Sequence, residues 1–391
     1  MTGPVPTARP GLPLPAYDAG GLAGVLPRVL ASIGGPRPPE DIAGAPLPPA
    51  QRAVVVLADG LGLELLKARS GHAPFLRKAL AGQPSEVPVQ LTCGFPSTTA
   101  TSMGSFGTGL PPGAHGLVGY QVRVPGTDHL FNELDWVDGP DPLQWQSNPT
   151  VFERAVAAGI EVTMVGPAKF DGSGLTRAAL RGAHFRGGRD LADCVDAAVP
   201  AAKAARRSLT YLYWGDVDRT GHGHGCDSWQ WGDALELLDR ELARLHRSLP
   251  AGTSLTITAD HGMVDVPPDA RVDIAHDAQL RDGIELVGGE LRSLQLYCRS
   301  GAADDVLAIW QERFGDDAWV LDRETAVSAG LFGPVVPAIQ NRIGDVIVAM
   351  RAPVGAYDSR FMKPTVTGLI GQHGSLTTAE TAVPMLHLPT S

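Results

Sequence analysis

Short apolar, β-branched runs recur along the chain: 53-AVVVLADG, 161-EVTMVG, 208-SLTYLYWGD, 254-SLTITADHG and 345-DVIVAM. Runs of this length, apolar at nearly every position and closed by Asp or Gly, predict strands buried on both faces of a parallel sheet. Between them lie segments with a helical period: 151-VFERAVAAG, 189-RDLADCVDAAVPAAKAA and 231-WGDALELLDRELARLHRSL. A further helix is expected from about Leu61 to Leu80, after the first strand. Strand and helix alternate, so the expected fold is α/β, a mainly parallel sheet with helices on both faces. The rhythm breaks over residues 270–340. There, 284-IELVGGELRSLQLYC predicts a hairpin and 303-ADDVLAIWQERFG an amphipathic helix, together a small inserted α+β unit. Residues 1–50 are rich in Pro and Gly and are expected to pack on the core, with one helix near Leu22 to Ile33. The division is therefore 1–50, a catalytic core of 51–269 with 341–391, and an insert of 270–340. No internal repeat is visible.

Composition narrows the class. The chain has 391 residues, 43% hydrophobic and 19% charged, enough for a large core. Its net charge of −10 lacks the basic footprint of a nucleic-acid binder. The 47 glycines and 33 prolines concentrate in connections, which predicts long ordered loops. Cys93, Cys194, Cys226 and Cys298 are far apart and form no CxxC pair, which fits a reducing compartment and no disulfide framework. There is no basic start followed by an apolar run, and no stretch of about 18 apolar residues. A cytoplasmic protein without a membrane segment is expected.

Chemistry gathers at the ends of the strands. The first ends in Asp59. The third runs into Asp216, Asp218 and His222. The fourth ends in Asp260 and His261, and His373 follows later in 370-IGQHGSL. Parallel sheets bind ligands just beyond the carboxyl ends of their strands, where such residues converge. Each has a plain alternative: Asp59-Gly60 suits a turn, and a lone histidine suits the surface or a satisfied core position. Jointly, three carboxylates and three imidazoles are a donor set for two Zn²⁺-like ions, by ligand hardness. Without cations the carboxylates would repel one another.

A dense hydroxyl run, 93-CGFPSTTATSMGSFGTG, adds Ser97, Thr98, Thr99, Thr101, Ser102, Ser105 and Thr108. Ser and Thr before a helix usually cap its first turn. A threonine alcohol is a poor nucleophile unless a metal or base activates it. The run alone leaves these readings open.

The motifs ADG at 58–60, FPSTTATS at 95–102, TGLPPGAHGLVGY at 108–120, DRTGH at 218–222, ADHGM at 259–263 and GQHG at 371–374 together resemble the alkaline phosphatase superfamily. The nearest branch is that of the nucleotide pyrophosphatases and phosphodiesterases. The resemblance implies one metal site from Asp59, Asp260, His261 and the Thr99 hydroxyl. It implies a second from Asp218, His222 and His373. The family's nucleophile follows a Pro-x-x-Thr pattern, so Pro96 points to Thr99. Ser97 or Thr98 would then cap the helix, Thr101, Ser102 and Ser105 would let it pack closely, and Cys93 would be a small buried residue. The implied reaction is in-line and two-step. Thr99 Oγ, held on one ion, attacks phosphorus; a phospho-threonine forms; water hydrolyses it with net retention. Cys93 lies three residues before Pro96 with no arginine shortly after it, unlike the sulfatase motif.

One position departs from the family. Its diesterases usually carry an asparagine soon after the His-Gly of the TGL…HG run, where this chain has Tyr120, a candidate substrate-binding residue. The leading expectation is a two-metal phosphodiesterase or nucleotide pyrophosphatase acting on a small-molecule phosphate ester or nucleotide, not on nucleic acid or a membrane. The alternatives are a phosphomonoesterase on the same scaffold, a phosphonate hydrolase or phosphomutase, and a catalytically silent metal-binding protein. Phe131 and Trp136 are read as packing. Oligomeric state is not legible.

Overall fold

In the computed structural model, which describes residues 11–390, the apolar runs become strands of one central sheet. Its strands are β1 (Arg52–Ala58), β2 (Gln90–Thr92), β3 (Glu161–Pro167), β4 (His184–Gly188), β5 (Ser208–Trp214), β6 (Thr253–Thr258) and, after a second sheet, β11 (Ala382–Pro389). The second sheet holds β7 (Ile284–Glu290), β8 (Ser293–Cys298), β9 (Ala318–Asp322) and β10 (Val346–Met350). The order across the central sheet is β2-β11-β6-β1-β5-β3-β4. The five strands from β6 to β4 are parallel, whereas β11 runs antiparallel to both β6 and β2. Residues 53–58 of β1 are wholly buried, as a central strand covered on both faces requires.

Register sets up the site. Ala58 of β1 pairs with Trp214 of β5, and Leu57 pairs with Thr258 of β6. Three central strands thus end at one level, and their next residues emerge together: Asp59, the helix Asp216–His224, and Asp260 with His261. The Asp59 N–H still donates to the Trp214 carbonyl at 2.9 Å, which extends the ladder by one step.

Three local expectations change. The helix foreseen over 61–80 is broken into Leu63–Ala68, a 3₁₀ turn Ser70–His72 and Pro74–Ala81. Pro74 cannot donate an i→i−4 bond, so it starts a new helix at its first position. The run 345-DVIVAM is not in the central sheet: β10 lies between β8 and β9, antiparallel to both. Continuous apolarity marks burial on two faces, and a sheet sandwiched within a small unit shows it too. Strand β11 was not foreseen, because Pro384 and Pro389 interrupt its pattern. The expected hairpin is present as β7–β8, and the expected amphipathic helix as Ala303–Phe314, whose buried Trp310 packs in a separate core with Leu294 and Val348. Near the N-terminus a 3₁₀ turn and the helix Val25–Ser32 are buried against the main core. The part of that segment before residue 11 lies outside the described residues. No described helix is long and apolar enough to cross a membrane.

A buried ion pair joins the second sheet to the segment that carries His373. Arg292 Nε and Nη2 each donate to the Glu380 carboxylate at 2.8 Å, with both side chains at most 1% exposed. Arg292 also donates to the carbonyls of Met350, Ala352 and Val354, and Glu380 accepts from Ser375 N. The guanidinium is thus fully used, the condition for a buried pair to be tolerated. Arg292→Ala strands the Glu380 charge. It is expected to lower unfolding free energy by about 3–5 kcal/mol, read as a lower urea midpoint at unchanged slope.

Candidate metal centre

The structure brings the expected residues together at the carboxyl ends of β1, β5 and β6. In the first group His261 Nε2 lies 3.4 Å from Asp59 Oδ1 and 3.5 Å from Asp260 Oδ2. Thr99 Oγ1 is 3.2 Å from the same Nε2. Thr99 is the first residue of the helix Thr99–Thr108, so its hydroxyl sits at a helix N-terminus. In the second group Asp218 and His222 stand one turn apart on Asp216–His224, with His222 Nε2 3.3 Å from Asp218 Oδ2. His373 Nε2 lies 4.0 Å from Asp218 Oδ1. The rings of His261 and His373 stack with centroids 3.7 Å apart, so the two groups adjoin. Gly60, with φ of +71°, permits this crowding, because a Cβ there would stand 2.8 Å from Asp218 Cβ. Asp216 is not part of either group; it pairs with the exposed Arg219 at 2.8 Å.

Hydrogen bonding settles which imidazole nitrogen is free. His222 Nδ1 donates to the Gly371 carbonyl at 2.7 Å, His261 Nδ1 to that of Gly262 at 2.9 Å, and His373 Nδ1 to that of Ser97 at 3.0 Å. Each proton is thereby placed on Nδ1, and each Nε2 presents a lone pair. Those lone pairs face carboxylate oxygens. Acceptors therefore point at acceptors, and Asp59 Oδ1, Asp218 Oδ1 and Asp260 Oδ2 are buried with no hydrogen-bond donor. Burial, then the charges of Asp260 and Asp218, push the Asp59 carboxyl well above its ordinary range. Burial and the Asp218 charge raise Asp260 to about 7. Burial, then His261 and His222, hold His373 well below the usual imidazole value. An interior of unpaired acceptors is costly unless something positive lies among them. The donor set, each trio with its ligand atoms within 4.8 Å of one another, fits divalent cations.

Residues 53–376 match the family described as type I phosphodiesterase / nucleotide pyrophosphatase. The chain belongs to that family. Among solved structures it is similar to murine ectonucleotide pyrophosphatase/phosphodiesterase 5, with a TM-score of 0.69 at 18% identity over 86% of this chain and 87% of that one. The human counterpart gives 0.65 at 19% identity, covering 87% and 88%. Phosphonoacetate hydrolase from Sinorhizobium meliloti 1021, solved with phosphonoformate, gives 0.65 at 19% identity, covering 88% and 92%. An inactive variant of the murine protein was solved with AMP. At these identities the structures establish the fold, which is the alkaline phosphatase-like α/β sheet. No curated protein matches the chain in sequence. As a member of the type I phosphodiesterase family the chain is a hydrolase of phosphoric ester or phosphonate bonds, and metal dependence is typical of that family.

Within this phosphodiesterase-family chain, several side chains act differently from expectation. Neither Ser97 nor Thr98 caps the Thr99–Thr108 helix: Thr98 holds the N-cap position without a side-chain cap bond. Ser97 Oγ instead donates to the Ser375 carbonyl at 2.7 Å and accepts from Gly374 N, tying the loop before Thr99 to the His373 loop. Ser102 Oγ donates to the Asp260 carbonyl at 2.7 Å, and Ser105 Oγ bonds His115 Nε2 at 3.0 Å. These hydroxyls do more than permit close packing. Cys93 is buried, as expected. Tyr120 makes no hydrogen bond or ion pair with either trio among the described residues, and burial raises its phenol above the ordinary range. Phe131 packs edge-on against Trp136 and Trp145.

Two residues of the site were not foreseen. The Tyr213 hydroxyl donates to Asp59 Oδ2, so it orients one carboxylate of the first trio. Its position near the end of β5 was the only available signal. Glu290 ends β7 in the second sheet, yet its carboxylate reaches Thr98 and His373. Nothing in the local sequence around a hairpin turn could announce that. Beside Thr99 opens an apolar recess lined by Met103, Leu134, Phe170, Leu175 and Tyr213.

Proposed function

We propose that the chain hydrolyses phosphodiester or phosphoanhydride bonds of a small molecule, with Thr99 as nucleophile and two divalent ions, Zn²⁺ by ligand type. The observation that carries this reading is the set of three imidazole lone pairs and three donor-less carboxylate oxygens beside the Thr99 hydroxyl. Asp59, Asp260, His261 and Thr99 would hold one ion, and Asp218, His222 and His373 the other. Bound there, such ions supply Lewis acidity and lower the pKa of a coordinated hydroxyl or water.

The chain's own residues do the rest. Thr99 Oγ forms the bond to phosphorus as the bond to the leaving oxygen breaks on the opposite side. Water then cleaves the resulting phospho-threonine ester. The first-turn N–H groups of Thr99–Thr108, which no side chain caps, are available to phosphoryl oxygens at the positive end of the helix dipole. Tyr213 steadies Asp59 through its hydroxyl. The apolar recess beside Thr99, about 40 Å³, admits at most a small apolar group of the substrate. Four unpaired cysteines, three of them buried, support a reducing compartment, the cytoplasm.

A second reading, a phosphomonoesterase, is favoured by Tyr120, which stands where the family's diesterases carry a phosphoryl-binding asparagine. Zinc-loaded protein assayed on bis-p-nitrophenyl phosphate and p-nitrophenyl phosphate separates the two. A higher kcat/KM for the diester is expected. A strong excess for the monoester replaces the first reading with the second, and no turnover of either ester, nucleotide diesters or pyrophosphates overturns both.

A further inference from the structure

Among the described residues, Glu290 is the one acidic side chain that the second sheet sends to the candidate metal-ligand groups. It is mostly buried. Its Oε2 accepts from Thr98 Oγ1 at 3.4 Å, and its Oε1 has no partner. Oε2 also lies 3.6 Å from His373 Nδ1. All three imidazoles donate from Nδ1 to a backbone carbonyl, but among the described residues only His373 has a carboxylate on that edge as well. A carboxylate largely withdrawn from water, with a single long hydrogen bond, is expensive unless a positive group balances it. The balancing group at hand is the Nδ1–H edge of His373, made more positive when Nε2 binds a cation.

The backbone holds this contact in place from both sides. Two residues after Glu290, Arg292 clamps Glu380, and Glu380 in turn accepts from Ser375 N. On the other side Ser97 and Gly374 form an isolated bridge. Gly374 has a φ of +120°, and a Cβ there would stand 2.7 Å from Glu290 Oε1. A glycine is required for this carboxylate to reach its place.

We propose that Glu290 is a positioning residue for His373: its charge, 3.6 Å from the Nδ1 whose proton goes to the Ser97 carbonyl, holds the ring electrostatically and raises the affinity of the Asp218, His222 and His373 trio for its cation. The proposal rests on the metal reading given above. A carboxylate behind a ligand histidine fixes ring and tautomer and makes Nε2 a better donor, and its loss typically weakens metal binding about 10–100-fold. The second sheet thereby completes a site whose ligands all belong to segments outside it.

The test uses full-length zinc-loaded protein and a chelator series, with bound zinc measured per chain. Asp218→Asn identifies which equivalent belongs to the His373 trio. In Glu290→Gln, which keeps the shape and an acceptor for Thr98, that equivalent is expected to leave at free zinc about 10–100-fold higher than in wild type. The other equivalent stays unchanged, and the melting temperature of the metal-free protein does not fall. Glu290→Asp keeps the charge one methylene further back and recovers part of the affinity. Unchanged release of both equivalents from Glu290→Gln overturns the proposal. So does equal weakening of both together with a lower metal-free melting temperature, because Glu290 would then only brace the fold. If Glu290→Gln does not fold, Glu290→Asp carries the same comparison: selective weakening supports the proposal and wild-type release overturns it. Wild-type protein that holds no zinc sensitive to Asp218→Asn refutes the metal reading itself, a result distinct from both.

Discussion

Thr99→Ala is expected to lower kcat by a factor of about 10³ or more while the protein binds metal and melts as wild type does. The substitution removes one hydroxyl from the first residue of a helix whose ten residues are all buried. Its Cβ remains, so the backbone and its packing have no reason to move. Among the described residues the Thr99 hydroxyl has one side-chain hydrogen bond, to His261 Nε2 at 3.2 Å, and His261 keeps its Nδ1 bond to Gly262 without it. The three other donors of the first trio stay in place, so metal content should hold. What disappears is the atom proposed to bond to phosphorus. Thr99→Ser retains that atom with one methyl fewer, and should recover most of the lost activity. The check is zinc per chain, melting temperature and steady-state kinetics on one diester. Normal turnover in the alanine variant would refute the assignment, and Thr98 would be the next candidate.

Asp260→Asn is expected to empty the first trio, with zinc retention there falling at least about 100-fold and activity falling with it. The two Asp260 oxygens do different jobs. Oδ1 accepts from the N–H groups of Gly60 and His261, each at 3.1 Å, and an asparagine carbonyl can do the same. Oδ2 has no donor and faces His261 Nε2 at 3.5 Å. Asparagine places an NH₂ group there, which satisfies the lone pair by hydrogen bonding and leaves no room for a cation. Without metal this variant should therefore be at least as stable as wild type, since an unpaired buried carboxylate has been neutralised. With zinc the order should reverse, because only wild type gains the binding free energy. Differential scanning with and without zinc reads both signs. A variant that keeps two equivalents of zinc would exclude Asp260 as a ligand.

The candidate site was largely legible because its chemistry sits at strand ends, and strands were the strongest signal in the chain. Asp59, Asp260 and His261 follow directly on apolar runs. Asp218 and His222 follow one within eight residues. His373 was weaker, since only the short pair Gly371–Gln372 precedes it. The residues that support the ligands were much less legible. Tyr213 looked like any aromatic in a strand. Ser97 and Thr98 carried the composition of caps, but tertiary partners took their hydroxyls: the Ser375 carbonyl for one and Glu290 for the other. Capping is a local preference worth about 1 kcal/mol, and a buried carbonyl or carboxylate in need of a donor outweighs it.

The strand misplacements have a similar cause. The run 345-DVIVAM carries the signature of burial, and it is buried. Burial does not say in which sheet. Its partners Ser293–Leu296 and Ala318–Asp322 lie 24 or more residues away, and only the assembled second sheet offers them. Strand β11 shows the converse, a paired central strand whose prolines hide it from any local pattern.

The sequence by itself determined the α/β class, the strands that carry the acids, and the donor types from which a metal site is made, because period, burial and ligand chemistry are written in adjacent residues. Only the tertiary structure decided the level at which three strands end, the nitrogen that each histidine leaves free, and the arrival of Glu290 beside His373. Each of these depends on register and on backbone carbonyls supplied from distant segments, and pairings of that kind exist only once the chain has closed on itself.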